Sequence, residues 1–295
     1  MTKWAFTLGA VLALAACTDA RESTPANSSP AAASLIEIPR APAQPASPPS
    51  QLQDISNPLK GDLDEMLARG YIRVLATPSP TNYTVVNGLT RGRTHDVREA
   101  FQKFLNQQNG TRKVAVLLID TPEDALVTDL VAGKGDIAAN VLLNFERDEQ
   151  VAFAAPLLKG IRELIVTGPK EPPLVSLEDV GGRMIHVRRS SDHYASLVRL
   201  NEQLKGINRP PAKIVLAAPD ASDESLLEKV NSGAIPATVA DDYLFGLARG
   251  ALTQMAANRD VAVSQDGVLA WVTRKDAPKL LAAMNAFFST HKLTY

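Results

Sequence analysis

The sequence has little of several residue types that mark common function classes. Its 295 residues include one cysteine, Cys17, so neither a disulfide within the chain nor a cysteine-based metal site is possible. Aromatic residues make up 5% of the chain, which argues against stacking platforms for bases. The formal net charge is -1, so we expect no nucleic-acid partner. The chain is 45% hydrophobic and 21% charged, which is ordinary for a globular protein with one or two cores.

Motifs for metal, phosphate and triad chemistry are also missing from the sequence. No glycine-rich loop that could cradle a phosphate is present. The chain has four histidines, His95, His186, His193 and His291. They are scattered without the paired spacing of metal ligands, so we expect no metal and no cofactor. Asp192 and His193 follow Ser190 and Ser191, so this short stretch contains the three residue types of a catalytic triad. These residues are sequence neighbours and lack a nucleophile elbow, so we predict no catalysis there.

The first seventeen residues have the features of a targeting segment. Lys3 supplies a positive charge, and the apolar stretch 4–14 is too short for a permanent membrane span. Leu14-Ala15-Ala16-Cys17 resembles the lipobox of bacterial lipoproteins, which implies a signal peptide over 1–17 and a lipid on Cys17. The alternative is an ordinary signal peptide with an incidental Cys17. Thr18 resembles a sorting signal for the outer rather than the inner membrane, so we expect a periplasmic protein anchored there.

Residues 18–58 are rich in Ala, Pro and Ser. Such a segment cannot bury enough apolar surface to offset the entropy of ordering it. We expect a disordered tether, partly extended by its prolines, that holds a folded domain away from a membrane.

From about residue 59 onward, strand and helix patterns alternate. The predicted strands include 71–76, 83–86, 113–119, 137–143, 151–153, 161–166, 184–187, 213–217, 237–240, 261–263 and 268–272; the predicted helices include 62–69, 94–107, 122–132, 190–205, 223–231, 241–249 and 277–289. This alternation favours an α/β fold with a largely parallel sheet. The proline-rich break at 168–173 favours two lobes. We assign 59–165 plus 266–295 to lobe 1 and 166–265 to lobe 2, with a cleft between them.

The stretch Gly135–Leu157 carries the main site prediction. A buried strand is expected over Ile137–Leu143, and Arg147 lies just past its carboxyl end, where open α/β sheets bind ligands. The guanidinium of Arg147 could hold a carboxylate through two parallel hydrogen bonds. The alternative is a surface residue paired with Glu146 or Asp148.

Four motifs, in order, resemble family 3 of the periplasmic solute-binding proteins. They are Gly70-Tyr71-Ile72-Arg73-Val74, Gly135-Asp136-Ile137-Ala138-Ala139, Phe145-Glu146-Arg147 through Phe153-Ala154-Ala155-Pro156-Leu157, and Ser232-Gly233 through Ala240-Asp241. The resemblance spans roughly residues 60 to 290. It implies a two-lobed type II periplasmic-binding-protein fold that closes on a ligand.

The resemblance also implies site residues. Arg147 would grip the ligand's carboxylate, and Asn140 matches a polar position before it, although Leu142 stands where the family often has serine. Ser190 and Ser191 match a turn whose backbone donors bind the same carboxylate; the alternative is that they only cap a helix.

Three further residues complete the implied site. Asp241, with Asp242 beside it, would take an ammonium, unless one of the two caps the next helix. Tyr83 would wall the ligand or pack in the core. Arg93-Thr94 replaces the aromatic and acid that the family prefers, so basic ligands are less expected.

A narrower likeness concerns the solute-binding-like half of membrane-bound lytic transglycosylase F enzymes. It is carried by His186–Ser191, Tyr194–Leu197 and Val239–Asp242. Those enzymes carry a lysozyme-like catalytic domain after this half, whereas this sequence ends at Tyr295, so we predict no transglycosylase activity.

We expect capture of a small zwitterion, an amino acid or a cell-wall peptide, with a membrane partner through the lipid and an ABC permease or a peptidoglycan hydrolase as possible protein partner. The alternative is a module that regulates or recruits a lytic transglycosylase. A third hypothesis is a two-lobed dehydratase; against it, no acid–base pair stands out in the sequence.

Overall fold

The computed structural model describes residue 55 and residues 57–110, 113–143 and 149–291. All of them belong to one compact unit, Ser50–Tyr295. The helices are α1 (Leu63–Arg69), α2 (Arg93–Gln108), α3 (Leu126–Val131), α4 (Asp192–Gly206), α5 (Asp223–Asn231), α6 (Asp242–Ala248) and α7 (Pro278–Thr290). The strands are β1 (Tyr71–Ala76), β2 (Thr84–Val86), β3 (Leu89–Arg91), β4 (Ala115–Asp120), β5 (Ile137–Leu142), β6 (Val151–Phe153), β7 (Leu158–Thr167), β8 (Met184–Val187), β9 (Lys213–Leu216), β10 (Ala237–Asp241) and β11 (Ala256–Arg274).

The main sheet is mixed, so the prediction of a largely parallel sheet was wrong. Its order is β4-β1-β5-β11-β7-β10-β8-β9, with β6 beside β11. Pairs near the two ends of this order are parallel: β4 with β1, β1 with β5, β10 with β8 and β8 with β9. Every pair that involves β7 or β11 is antiparallel. These two long strands cross the middle of the sheet, and they make it mixed.

The strands predicted at 261–263 and 268–272 are parts of one strand, β11. The polar stretch between them reads as a turn in the sequence. In the structure, Asp266 has a left-handed φ of 62° and the pairing with β7 shifts register on both sides of Gly267. These irregularities let the strand continue past a turn-like sequence.

The buried apolar residues form separate cores on the two sides of β7 and β11. One side holds Ile72, Phe101, Trp271 and Phe287 in one cluster and Leu75, Leu130 and Val272 in another; we call it the first lobe. The other side holds Ile165, Val187, Leu197 and Val239 in one cluster and Leu227, Val230 and Leu244 in another; we call it the second lobe. Strand β11 contributes to both, through Trp271 in the first lobe and Val261 in the second.

A buried arginine ties the start of the folded domain to the first lobe. The guanidinium of Arg73, which has no exposed surface, donates to the carbonyl oxygens of Ile55, Asn57 and Leu59. It also pairs with the buried carboxylate of Asp136, at 3.2 Å between Nη2 and Oδ1. Ile55 and Asn57, within the segment predicted as tether, therefore contact the lobe. None of the described helices is both long enough and apolar enough to span a membrane.

Candidate functional site

A cleft of about 230 Å³ lies where the two lobes meet. Its first-lobe wall comes from the loop after β1, the turn before α3 and the end of β5, represented by Asn82, Glu123 and Asn140. Its second-lobe wall comes from the starts of α4 and α5 and the end of β10, represented by His193, Asp223 and Asp241. The volume lies below the roughly 300 Å³ at which sites for drug-sized ligands begin, which suits a ligand of amino-acid size.

Asn140, which the sequence predicts as a ligand-binding residue, lies in the first-lobe wall of the cleft. Its Nδ2 donates to Oδ1 of Asn82 and to Oγ1 of Thr94, both at 2.9 Å. Asn82 in turn donates through its own Nδ2 to the carbonyl of Thr77, which fixes the orientation of both amides. Oδ1 of Asn140 is buried and has no partner among the described residues, so the cleft wall holds an unused acceptor.

Ser191 caps helix α4, the alternative role that the sequence left open. Its Oγ accepts a hydrogen bond from the amide of Tyr194 at 3.3 Å and donates to the carbonyl of Arg188 at 2.9 Å. Ser191 also lines the cleft, so the helix start faces the cavity. Ser190 is exposed and is not among the residues that line the cleft. Positive potential from the helix start remains available to an anion, because the first amides of a helix have no partner within it.

The two neighbouring acids, Asp241 and Asp242, point to different surroundings. Asp241 ends β10 and lines the cleft, with its Oδ1 3.4 Å from Nε2 of His193. It stands at the N-cap of α6, but its side chain makes no capping hydrogen bond. The carboxylate of Asp242 pairs with Arg259 at 2.5 Å and accepts from the amide of Arg162 at 3.4 Å. Asp242 is thus engaged with β7 and β11 and is not among the residues that line the cleft.

Tyr83 belongs to the first-lobe core, with 2% of its surface exposed. Its hydroxyl donates to Oδ1 of Asp120 at 2.5 Å. Burial, and then the hydrogen bond to Asp120, raise the pKa of the Tyr83 phenol. The ring therefore has the packing role that the sequence left open and does not line the cleft. Arg147 and Cys17, the carboxylate-binding and lipid-carrying residues predicted above, lie outside the described residues.

His193 lies among carboxylates under the cleft and was missed as a site residue. Its Nε2 is 3.4 Å from Asp241 Oδ1, and its Nδ1 is 3.9 Å from Asp223 Oδ2. Burial alone would lower the pKa of His193, but Asp223, Asp241 and Glu163 together raise it to about 10. This raised pKa favours the imidazolium form of His193, a buried cation beside the cleft. Burial also raises the pKa of Glu163, whose Oε2 has no hydrogen-bond partner in the described structure.

Two polar contacts join the lobes across the cleft. Glu123, in the turn before α3, accepts from Nη2 of Arg188 at 2.5 Å, and the same nitrogen is 3.5 Å from Asp223 Oδ1. Thr81, in the loop after β1, donates to the carboxylate of Glu224 at the start of α5. No local sequence pattern predicts these pairs, since Glu123 and Arg188 are 65 residues apart. The one available signal was the position of Arg188, two residues before the turn at Ser190 and Ser191.

Acidic side chains dominate the part of the cleft wall that the structure describes. Its seven carboxylates face two basic side chains, Arg188 and His193; the acids are Glu123, Asp124, Asp192, Asp220, Asp223, Glu224 and Asp241. Several of these acids lie at the starts of helices, where a negative charge interacts favourably with the helix dipole. The excess of negative charge in this region nevertheless suits a ligand that carries an ammonium group. Within the described residues, no group of three or more His, Cys, Asp or Glu side chains is arranged to hold a metal ion.

Comparison with known sequences matches a family model and several curated relatives. The family model "Bacterial extracellular solute-binding proteins, family 3" matches residues 72–294. Membrane-bound lytic murein transglycosylase F of Pectobacterium atrosepticum is 27% identical over 230 residues, which cover 77% of this chain and 44% of that protein. The Sodalis glossinidius protein of the same name is 29% identical over 234 residues, covering 79% and 47%. The chain thus spans less than half the length of these relatives.

Comparison with solved structures finds two-lobed amino-acid-binding proteins. Holo ArgBP from T. maritima superposes with a TM-score of 0.61 at 20% identity, over 79% of this chain and 95% of that one. The amino acid ABC transporter substrate-binding protein AbpA from Streptococcus pneumoniae, bound to L-arginine, gives a TM-score of 0.61 at 17% identity, over 77% and 91%. These likenesses confirm the predicted two-lobed, type II architecture.

Proposed function

The chain belongs to family 3 of the bacterial extracellular solute-binding proteins, and on that premise we propose that it is a lipid-anchored periplasmic protein whose lobes close on a small zwitterion, an amino acid or a cell-wall peptide. The placement of Asn140, Ser191 and Asp241 around one cleft carries this proposal. They come from both lobes, so a ligand that touches all three favours the closed arrangement.

In the proposed complex, the two ends of the ligand bind different groups. Arg147 and the start of α4 hold its carboxylate, and Asp241 receives its ammonium. The excess of carboxylates in the described cleft supports a ligand with at least one ammonium group. This charge runs against the sequence argument for weak binding of basic ligands, which rested on Arg93 and Thr94. The side chain of Thr94 instead supports Asn140.

The proposal assigns the remaining parts of the chain as follows. Residues 1–17 are a signal peptide, Cys17 carries the lipid, and 18–58 are the tether to the membrane, with the outer membrane preferred; the end of the tether is fixed to the first lobe where Ile55 and Asn57 bind Arg73. Lobe 1 comprises 59–165 plus 266–295, and lobe 2 comprises 166–265, so that the chain crosses between them along β7 and β11.

Thermal-shift screening of the purified full-length chain in detergent tests ligand capture. The panel contains L-amino acids, diamines without a carboxylate, carboxylates without an amine, and muropeptides. We expect a hit that carries both groups, because each lobe then gains a charged contact. A panel in which no compound raises the melting temperature would contradict capture of a small zwitterion.

Variants of the proposed site test the residue assignments once a hit is known. Arg147→Ala and Asp241→Asn should each weaken binding at least tenfold, since each removes a charge-assisted hydrogen bond worth about 1.5–3 kcal/mol. Asp260→Asn, an exposed acid of β11, is the matched control and should bind as wild type does. Wild-type affinity in Arg147→Ala would show that this residue does not hold the ligand.

Lipid anchoring has its own test. We expect the wild-type chain to incorporate labelled fatty acid and to pellet with membranes, and Cys17→Ser to do neither. Labelling that persists in Cys17→Ser would show that the anchor is elsewhere.

A second candidate function is a module that recruits or regulates a peptidoglycan lytic transglycosylase. It is favoured by the similarity to membrane-bound lytic murein transglycosylase F over nearly four-fifths of this chain. Cross-linking in intact cells, followed by identification of the joined protein, separates the two candidates. A permease supports solute uptake, and a cell-wall hydrolase supports regulation.

A further inference from the structure

We propose that Glu123 and Arg188 form an interlobe latch, assisted by Thr81 and Glu224, that holds the cleft closed before any ligand binds. The latch deepens the lobe-closure part of the proposed function. It does not depend on which ligand the cleft accepts.

The first argument for a latch is the position of its two charges. Glu123 belongs to the first lobe, in the turn that leads into α3, and Arg188 belongs to the second lobe, directly after β8. Nη2 of Arg188 donates to Oε2 of Glu123 across 2.5 Å, so the two charges are in direct hydrogen-bond contact. Because the two residues lie on opposite walls of the cleft, this bond exists only when the lobes are together.

The second argument is the environment of the arginine. Arg188 is 6% exposed, and Asp223 of its own lobe lies 3.5 Å from the same Nη2. Asp223 therefore orients the guanidinium within the second lobe, so less side-chain entropy is lost when Glu123 arrives. An exposed ion pair contributes little because water screens it. The burial of Arg188 reduces that screening, while the half-exposed Glu123 leaves the pair accessible to salt.

The third argument comes from the like charges that closure brings together. Partial burial, and then the nearby Asp223 carboxylate, raise the pKa of Glu123, while Arg188 opposes this change. Without the guanidinium between them, Glu123 and Asp223 would repel each other and favour opening. Loss of Arg188 should thus open the cleft more than loss of the Glu123 charge, because only the first change leaves two facing carboxylates.

A second contact crosses the cleft beside the ion pair. The hydroxyl of Thr81 donates to the carboxylate of Glu224, in the first turn of α5. Thr81 and Glu123 both lie outside the cores of the first lobe, so each can be changed without removing core packing.

Double electron–electron resonance on the ligand-free, full-length chain tests the latch. Spin labels are placed through Gln108→Cys in α2 and Gln203→Cys in α4, both exposed, in a Cys17→Ser background. We expect mostly the short interlobe distance in the otherwise unmodified chain. Glu123→Gln should lower the closed-to-open ratio by about three- to tenfold, Thr81→Val by less, and Arg188→Gln by more than Glu123→Gln.

Salt supplies an independent readout on the same samples. Raising NaCl from about 0.05 M to about 0.5 M should lower the closed-to-open ratio of the unmodified chain through screening, and should change Glu123→Gln much less. Asp129→Asn is the matched control, because it removes an ion pair with Lys134 that lies within the first lobe. Its distance distribution should equal that of the unmodified chain.

Two outcomes would overturn the latch. One is an unchanged distance distribution in Glu123→Gln, and the other is an equal response to salt with and without the Glu123 charge. Should Arg188→Gln be unstable, Glu123→Gln and Thr81→Val decide the matter alone. Ligand capture is scored separately, by the melting temperature of the wild-type chain. A protein that binds ligand but lacks the latch is therefore distinguishable from one that is latched but binds nothing.

Discussion

At the scale of single residues, Arg73 and Asp136 form a fully buried ion pair in the first lobe. Neither side chain has exposed surface, and Asp136 also accepts hydrogen bonds from the backbone amide of Arg73, at 2.8 Å, and from the side chain of Arg69. Because the guanidinium of Arg73 also binds carbonyls before β1, one residue connects the sheet to the start of the folded domain.

We expect Arg73→Met to lower the free energy of unfolding by about 3–5 kcal/mol, since it leaves the buried Asp136 and several carbonyls short of donors. Urea denaturation of the variant measures this loss. Lys134→Met is the control: it removes an exposed pair with Asp129 and should cost about 0–1 kcal/mol. Equal stability in the two variants would contradict the buried pair's role.

His193 provides a second residue-scale prediction, concerning pH. Its folded pKa of about 10 lies above the ordinary value of 6.5, so its contribution to stability is full below pH 6.5 and is lost as the pH rises through about 10. The free energy of unfolding should fall by about 1.4 kcal/mol per pH unit within this window from His193 alone.

Nuclear magnetic resonance titration of the Cε1–H signals checks this prediction. His193 should keep its imidazolium shift at pH 8, whereas His186, whose pKa is lowered by burial, should already be neutral. Asp241→Asn should lower the pKa of His193 by removing one of its carboxylate partners. A His193 midpoint near 6.5 in the wild-type protein would refute the proposed charge on this residue.

At the scale of elements, the start of α4 combines a structural and a proposed binding role. Ser191→Ala should lower the free energy of unfolding by about 1 kcal/mol, because the amide of Tyr194 loses its side-chain acceptor. Ser190→Ala, the exposed neighbour without a cap bond, should be nearly neutral. Urea midpoints of the two variants give the comparison, and equal midpoints would show that the cap contributes nothing.

Most elements follow from local patterns, but their pairing does not. Strand Tyr71–Ala76 and helix Asp223–Asn231 lie where apolar periodicity and capping residues predict them. Strand β11 was predicted as two strands, 261–263 and 268–272; only the β7 ladder shows that the strand continues through Asp266 and Gly267. The direction of β7 and β11 is likewise set by partners far away in sequence. Strand–helix alternation alone therefore overestimates how parallel the sheet is.

The cleft shows the same division between local and long-range information. Family motifs indicated Asn140 and Asp241, and both line it. They could not indicate Glu123, Arg188 or His193 as members of the cleft. Those side chains contact partners on other elements only after the lobes assemble. Local residue spacing cannot predict such long-range contacts.

At the scale of the whole molecule, the two lobes share one continuous sheet. Strand β11 pairs with β5 and β6 in the first lobe and with β7 along the crossing, while β7 pairs with β10 of the second lobe. Unfolding of one lobe therefore removes hydrogen-bond partners from strands of the other lobe. We infer that the lobes unfold together, although their cores are separate.

Phe101→Ala tests this coupling, because the ring lies wholly within the first-lobe core and contacts the rings of Trp271 and Phe287. The cavity should lower the free energy of unfolding by about 3–5 kcal/mol. Hydrogen exchange in increasing urea should show the amides of β8 and β9, in the second lobe, losing protection at the same urea concentration as those of β1. Val198→Ala, on the partly exposed surface of α4, should leave both midpoints nearly unchanged. If Phe101→Ala shifts only the β1 amides, the strands that cross between the lobes do not couple their stability.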